Sequence, residues 1–391
     1  MTDIVILGAV RTAIGTFGGS LAATPPTELA TVAARAALER AEVAPDRIGH
    51  VVFGHVINTE PRDMYLSRVA SIQAGVPDTV PAMNVNRLCG SGAQAVASAT
   101  QALSLGDADF ALAGGAESMS RSPYILPQAR WGQKMGDAGA QDMMLGALSD
   151  PFGAGHMGVT AENVASERQI DRQAQDAFAL ESQKRAARAI EEGRFDEQIV
   201  PVEVRVKRDT VEFRRDEHPK ATTAEALAGL RPAFRKDGSV TAGNASGIND
   251  GAAALVLARA DAAERAGAKP RARMLGYAHA GVRPEVMGIG PIPAVERLME
   301  RTGLSIGDFD VIESNEAFAA QAIAVSQGLG LDPERVNPNG GAIALGHPVG
   351  ATGAILCVKA LYELERSGGR RALVTMCIGG GQGIALAIER V

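Results

Sequence analysis

Residues 82–93 read Ala82-Met83-Asn84-Val85-Asn86-Arg87-Leu88-Cys89-Gly90-Ser91-Gly92-Ala93, and the fold follows from this stretch. Ala82 to Val85 has the length and apolar content of a short strand. Asn86 to Gly92 carries the turn-forming residues, and Ala93 to Leu105 is a run of small residues that suits a closely packed helix. Phe110 to Ala113 is a further strand, ending in Gly114-Gly115. Cys89 therefore sits where a strand turns into a helix.

The same plan recurs in the C-terminal half. Asp310 to Ile312 is a short strand and Asn337-Pro338-Asn339-Gly340-Gly341 is a turn. Gly346-His347-Pro348-Val349-Gly350 leads into a helix through about Glu365. Ala372 to Met376 is a strand running into Cys377-Ile378-Gly379-Gly380-Gly381. The repeated sequence of glycine turn, small-residue helix and strand is read as two similar α/β halves derived by duplication. Upstream, Ile4 to Leu7 reads as a strand, Pro26 opens a helix through about Glu42, and Val51 to Phe53 is another strand.

Residues from about 119 to 249 break the pattern. They are rich in Met, Gly and charge and hold an amphipathic helix over Asp171–Gly193; such long excursions commonly serve as lids or binding loops. Ala252 to Leu257 resembles the last strand of the first half. The chain is thus divided into a first half (1–118 plus 250–268), an inserted loop domain (119–249) and a second half (269–391).

The bulk properties agree. A chain of 391 residues is too long for one compact core. Aromatic residues make up only 4% while glycine reaches 45 residues, which suits an Ala/Val/Ile/Leu core of closely packed elements. The net charge of −6 argues against nucleic acid as a partner, although a local basic patch could still hold an anion. No apolar run reaches the roughly 20 residues needed to span a bilayer, and the N-terminus lacks the basic region of a signal peptide. Three distant cysteines give no disulfide framework, so a reducing cytoplasm is expected. Gly8 to Gly15 lacks GxGxxG spacing, and CxxC and HExxH are absent, so neither a dinucleotide cofactor nor a metal is expected.

Four residues could do chemistry, each with a plainer alternative. A cysteine at a helix start feels the helix dipole and unpaired N–H groups, which favour the thiolate and would lower the pKa of Cys89; it could equally be a small buried residue in a tight turn. His347 could accept a thiol proton, or simply cap or fill a core. Cys377 lies at a strand's end, where a structural cysteine is the commoner case. Asn315, in Ser314-Asn315-Glu316-Ala317-Phe318, could hold a water or donate to an oxyanion, or cap a helix. Cys357 has core spacing and is assigned to packing.

Taken together, Asn86-Arg-Leu-Cys89-Gly-Ser-Gly92, Asn315-Glu-Ala-Phe318, Gly346-His347-Pro348 and Cys377-Ile-Gly-Gly-Gly381 resemble the thiolase family in order and spacing. Val10-Arg11-Thr12, Gly114-Gly-Ala-Glu-Ser-Met-Ser120, His156-Met-Gly-Val-Thr-Ala-Glu-Asn163 and Thr241-Ala-Gly-Asn-Ala-Ser-Gly247 match as well, so the resemblance covers essentially the whole chain. It is closest to biosynthetic-type acetyl-CoA acetyltransferases. Glu60 to Arg68 and the Met-rich insertion look most like bacterial β-ketothiolases of polyhydroxyalkanoate synthesis.

The resemblance implies a five-layered αβαβα fold of two similar halves with an inserted loop domain. It also implies a homotetramer, as a dimer of dimers, with acyl-CoA and CoA as ligands and no separate cofactor. The implied reaction is a reversible ping-pong Claisen condensation. Cys89 would be the nucleophile, His347 its base, Cys377 the base for the second substrate, and Asn315, with backbone N–H groups of Cys89 and Gly379, would stabilise oxyanions. His156, Met157, Lys220, Phe234, Ala242, Ser246, Met287, Ala317 and Phe318 match substrate- or CoA-contacting positions. Methionine is adaptable, so Met157 and Met287 fix no acyl chain length. Residues 205–236 hold nine Lys or Arg against five Asp or Glu; a solvated surface is the ordinary explanation of such a stretch, but the family places CoA here. Lys220 replaces a common arginine and would contact phosphate without bidentate geometry. A serine the family usually has nearby is replaced around Ala226-Leu227.

Two rivals remain on residues alone. A ketoacyl synthase shares the fold and a nucleophilic cysteine, but pairs it with His-His or His-Asn and lacks a second catalytic cysteine. A thiolase-like lipid-binding protein would have lost catalytic positions, whereas all four are present.

Overall fold

The computed structural model describes residues 3–391. The first half contains β1 (Ile4–Thr12), α1 (Pro26–Arg40), β2 (His50–Gly54), β3 (Ala82–Val85), α2 (Ser91–Leu105) and β4 (Phe110–Ser118). The insertion carries α3 (Met157–Glu167) and α4 (Arg172–Glu191), and β5 (Asn249–Arg259) closes the half. The second half contains β6 (Ala272–Gly281), α5 (Pro291–Thr302), β7 (Val311–Ser314), α6 (Ala319–Leu329), α7 (Thr352–Ser367), β8 (Arg371–Ile378) and β9 (Gln382–Arg390).

These nine strands form one path in the order β7-β8-β9-β6-β1-β5-β4-β2-β3. The path is two copies of one topology. In the first half β2 runs parallel to β4, β4 antiparallel to β5, and β5 antiparallel to β1. In the second, β7 runs parallel to β8, β8 antiparallel to β9, and β9 antiparallel to β6. Even the outer strand β3 has a remnant counterpart, a parallel bridge between Ile312 and Val336. The halves meet at β1 and β6 through only Val5↔Arg273 and Ile6↔Ala272.

The helices supply the remaining layers. α1 covers the outer face of the first sheet and α5 that of the second, while α2 and α7 lie between and touch each other. α7 is buried on every side from Thr352 to Leu361, a stretch that is apolar apart from Thr352 and Lys359. α2 and α7 approach at glycines: a Cβ on Gly92 would lie 2.6 Å from the Ala354 nitrogen, and one on Gly353 2.2 Å from that of Ala93. The small-residue composition is therefore a packing requirement of the central layer.

Two sequence expectations need correcting. Gly114-Gly115 does not end a strand; β4 runs through it to Ser118. Glycine is needed there because a Cβ on Gly114 would meet the Phe53 ring at 2.6 Å, and one on Gly115 would meet the Gly350 carbonyl at 2.3 Å. β6, α5, α6 and β9 are absent from the sequence reading, although β9 follows directly on the Gly379–Gly381 turn. Among the described residues no helix is long and apolar enough to cross a membrane.

Candidate active site

The turn after β3 is built to present Cys89. The Asn86 carboxamide oxygen accepts from the Leu88 N–H at 2.9 Å. The Ser91 hydroxyl accepts from the Arg87 N–H at 2.9 Å and donates to the Leu88 carbonyl at 2.6 Å. These bonds hold Leu88 at φ +44°, a left-handed conformation costing on the order of 1 kcal/mol for a non-glycine residue. Gly90 lets the turn press on the end of β8, where a Cβ would strike Ile378 at 2.4 Å. The two cysteine-bearing segments are thereby brought face to face.

The backbone N–H groups of Gly379 and of Cys89 itself act on the Cys89 thiol and pull its pKa down. They do not produce a resting thiolate. Burial dominates and pushes the thiol up to about 11, with the Glu117 carboxylate adding to the rise. The expectation of a lowered pKa is thus overturned, because desolvation outweighs the helix start. Cys89 is a neutral thiol at pH 7 and needs a base at the moment of attack.

His347 has the properties of that base. It is 5% exposed, and burial lowers its pKa to about 4, so it is neutral. Its Nδ1 lies 2.7 Å from the Thr352 hydroxyl, which lies 2.9 Å from the Pro348 carbonyl. The carbonyl can only accept, so the hydroxyl donates to it and accepts from Nδ1–H. That assigns the tautomer: Nε2 carries the free lone pair, and it has no protein partner.

Cys377 ends β8 and is 1% exposed. It packs with Met157, Met287, Ala317 and Phe318. Burial, and then the proximity of Cys89, holds its pKa above the usual thiol value. Asn315 is fully buried and its backbone N–H is tied to the Thr375 carbonyl at 3.0 Å. Its carboxamide oxygen and nitrogen are both unpartnered within the protein. It does not cap α6, whose N-cap is Phe318. Cys357 is buried in the main core, as its spacing suggests.

Cys89, His347 and Cys377 open on one cavity of ≈ 520 Å³. His156, Met157, Lys220, Phe234, Ala242, Ser246, Met287, Ala317 and Phe318 line it as well. The His156 and Phe234 rings stack at 4.8 Å, and Phe234 meets Phe318 edge-on at 6.1 Å, giving an apolar channel from the insertion to the two thiols. Asn315 and Gly379 are not part of the lining. A Cβ on Gly379 would meet Leu88 at 3.1 Å and the Met157 sulfur at 3.5 Å.

Sequence reasoning missed several contributors. Phe17 and His218 line the cavity mouth. Asn249, Glu117 and Thr352 grip the loop carrying His347. Arg11 is fully buried and forms a paired contact with Asp216 at 2.7 and 2.9 Å, which fastens the segment before Lys220 to β1. The segment around each of Arg11, Glu117 and Asn249 stood out, but nothing local separated those residues from their neighbours. The basic stretch 205–236 proves mostly a solvated surface, much of it on the exposed ribbon Val202–Val206/Asp209–Phe213. Of its nine cations only Lys220 lines the cavity; Lys220 also borders an adjoining groove with Lys184 and Arg215.

Comparison with known proteins matches residues 4–261 to the family described as thiolase, N-terminal domain, and residues 268–390 to thiolase, C-terminal domain. Beta-ketothiolase BktB of Cupriavidus necator is 60% identical over 391 residues, covering 100% of this chain and 99% of that protein. The crystal structure of Bacillus anthracis acetyl-CoA acetyltransferase superposes with a TM-score of 0.98 at 47% identity, covering 100% and 99% of the two chains. That of human mitochondrial 3-ketoacyl-CoA thiolase in complex with CoA gives 0.96 at 41% identity, covering 100% and 98%.

Proposed function

The chain belongs to the thiolase family, and from that premise we propose how its site works as an acyl-CoA C-acyltransferase, a β-ketothiolase of the acetyl-CoA acetyltransferase type. The observation that carries the reading is the meeting of two thiols and a neutral imidazole with a free Nε2 in one cavity.

His347 Nε2 takes the Cys89 proton as the sulfur attacks the thioester carbonyl. The carbonyl oxygen becomes an oxyanion beside the N–H groups of Cys89 and Gly379, each such donor being worth about 3–4 kcal/mol in a preorganised site. The C–S bond to CoA breaks, and the departing CoA thiolate takes the Cys377 proton. The acyl group is now on Cys89, His347 is an imidazolium and Cys377 a thiolate. Because burial disfavours that thiolate, it is a strong base when formed.

A second acetyl-CoA then loses an α-proton to Cys377, and its enolate oxygen accepts from His347 Nε2–H. The buried Asn315 carboxamide is suited to hold a water at the same oxygen. The carbanion attacks the acyl carbonyl, a C–C bond forms as the C–S bond to Cys89 breaks, and His347 returns its proton to Cys89. The product is a 3-ketoacyl-CoA, and the reverse path is thiolysis. No further cofactor takes part.

CoA is proposed to run past Phe234 and Ser246 toward Lys220, with its acyl end between Met157 and Met287. A homotetramer is proposed from two surfaces. β3 is a sheet edge flanked by exposed Met64, Tyr65, Ile72 and Met83, and the arm around 124–142 exposes Tyr124, Leu126, Trp131 and Met135. The free state of all three cysteines supports a cytoplasmic location.

Mass spectrometry after incubation with acetyl-CoA tests the chemistry. An acetyl adduct is expected on Cys89, and a stable adduct only elsewhere overturns the assignment. Cys377→Ala should acylate when an added buffer acid protonates the departing CoA thiolate but fail to condense; normal turnover would remove Cys377 from the base role.

A further inference from the structure

The loop that carries His347 is held by a residue that also holds the segment leading to Lys220. Asn249 begins β5 and is fully buried. Its Oδ1 accepts from the His347 backbone N–H at 2.9 Å. Its Nδ2 donates to the Gly15 carbonyl at 3.0 Å and lies 3.3 Å from His218 Nδ1. One carboxamide thus joins the first half, the insertion and the base.

The protonation of His218 is settled by its partners. Asn249 Oδ1 is taken by the His347 N–H, so the atom facing His218 is Nδ2, which can only donate; Nδ1 is therefore the accepting nitrogen. Burial, and then the Lys220 charge, lowers His218 to about 4, which keeps it neutral. The packing leaves no slack. A Cβ on Gly346 would lie 2.5 Å from the Asn249 carboxamide carbon, and one on Gly247 2.2 Å from the His218 ring. Both amide protons of Asn249 are engaged, so a shift of the His218 segment reorients the group that sets the His347 backbone.

We infer that Asn249 is a positioning residue that couples the CoA-contacting His218–Lys220 segment to the base His347. The inference rests on the roles proposed above for that segment and for His347. Among the described residues no other side chain hydrogen-bonds to both.

The test pairs two measurements: the single-turnover rate of Cys89 acylation by acetyl-CoA, followed by mass, and the KM for CoA in thiolysis of acetoacetyl-CoA. Asn249→Ala should slow acylation on the order of 10²-fold, as a misplaced catalytic group does, and should also raise KM. His218→Ala should raise KM and, by releasing one side of the Asn249 carboxamide, slow acylation at saturating acetyl-CoA by less than Asn249→Ala does. Combining the two should raise KM no further than Asn249→Ala alone, because both remove one connection. Asn249→Asp keeps the acceptor for His347 and loses the donor to both the Gly15 carbonyl and His218, so it should raise KM with a smaller loss of acylation than Asn249→Ala. That variant is nearly isosteric and carries the test if Asn249→Ala does not fold. Normal acylation in both Asn249 variants, or KM effects that multiply, overturns the inference. A wild type that forms no Cys89 adduct overturns the proposed chemistry itself, an outcome distinct from variants that merely match an acylating wild type.

Discussion

At the scale of single residues, the site is defined by protonation states. Cys89, Cys377 and His347 are all held neutral by burial, against the usual picture of a preformed thiolate–imidazolium pair. In the proposed mechanism attack by Cys89 therefore depends on the free Nε2 of His347, and so on the hydroxyl that fixes the tautomer. Thr352→Val removes the acceptor for Nδ1–H while keeping the side chain's shape. Acylation of Cys89 in single turnover should fall about 10²-fold, within the range that general-base catalysis supplies. Thr352→Ser should restore most of the rate. A Val variant as fast as wild type would show that the tautomer is set by something other than this hydroxyl.

At the scale of elements, α7 is the part on which the second half depends. It is buried almost throughout and still carries Lys359, whose ammonium donates to Glu313 at 2.6 Å and to the Gly340 carbonyl at 2.8 Å. Burial raises Glu313 to about 7 while Lys359 pulls it back down. The bond to Gly340 secures the turn before the His347 loop. Lys359→Met leaves the Glu313 carboxyl buried without its cation and should cost about 3–5 kcal/mol in chemical unfolding. Lys359→Met with Glu313→Leu should recover most of that loss, since neither charge is then stranded. Arg11 plays a comparable part for the insertion, tying β1 to Asp216.

At the scale of the whole molecule, the active site exists only where the halves meet. Cys89 comes from the first half, His347, Cys377 and Asn315 from the second, and much of the cavity wall from the insertion. Keeping His347 neutral in that junction makes stability depend on pH. Its folded pKa lies near 4, below the 6.5 of an exposed histidine, so between these values the unfolded chain binds more protons. Its contribution is complete above pH 6.5 and is lost as pH falls toward 4. Glu117, Glu313 and Glu316 are shifted upward and oppose this trend, so the test is a comparison between two proteins. The stability of His347→Gln relative to wild type should improve by about 2 kcal/mol from pH 7 to pH 5, measured by chemical unfolding at each pH. An unchanged difference would mean that His347 is not buried in its neutral form.

Much of this was legible in the chain itself. The strand–turn–helix around Cys89, its echo around His347 and Cys377, and the interruption between them specify two α/β halves with an insertion, because glycine turns and small-residue helices leave local marks. Cys89, His347 and Cys377 stand out in glycine contexts and Asn315 in Asn-Glu-Ala-Phe, but it was the resemblance of these motifs together to the thiolase family that suggested their roles. β6, α5 and α6 were harder to read, because their places are set by burial against partners remote in sequence, and β9 went unread although it follows the Gly379–Gly381 turn. The nine cations of 205–236 looked alike in one dimension, and only folding sends Lys220 to the cavity and most of the others to solvent. Sequence alone thus determined the architecture and the identity of the chemical groups. Tertiary structure decided their charge, tautomer and support, because desolvation and hydrogen-bond partners such as Asn249 and Glu117 arise only where distant segments meet.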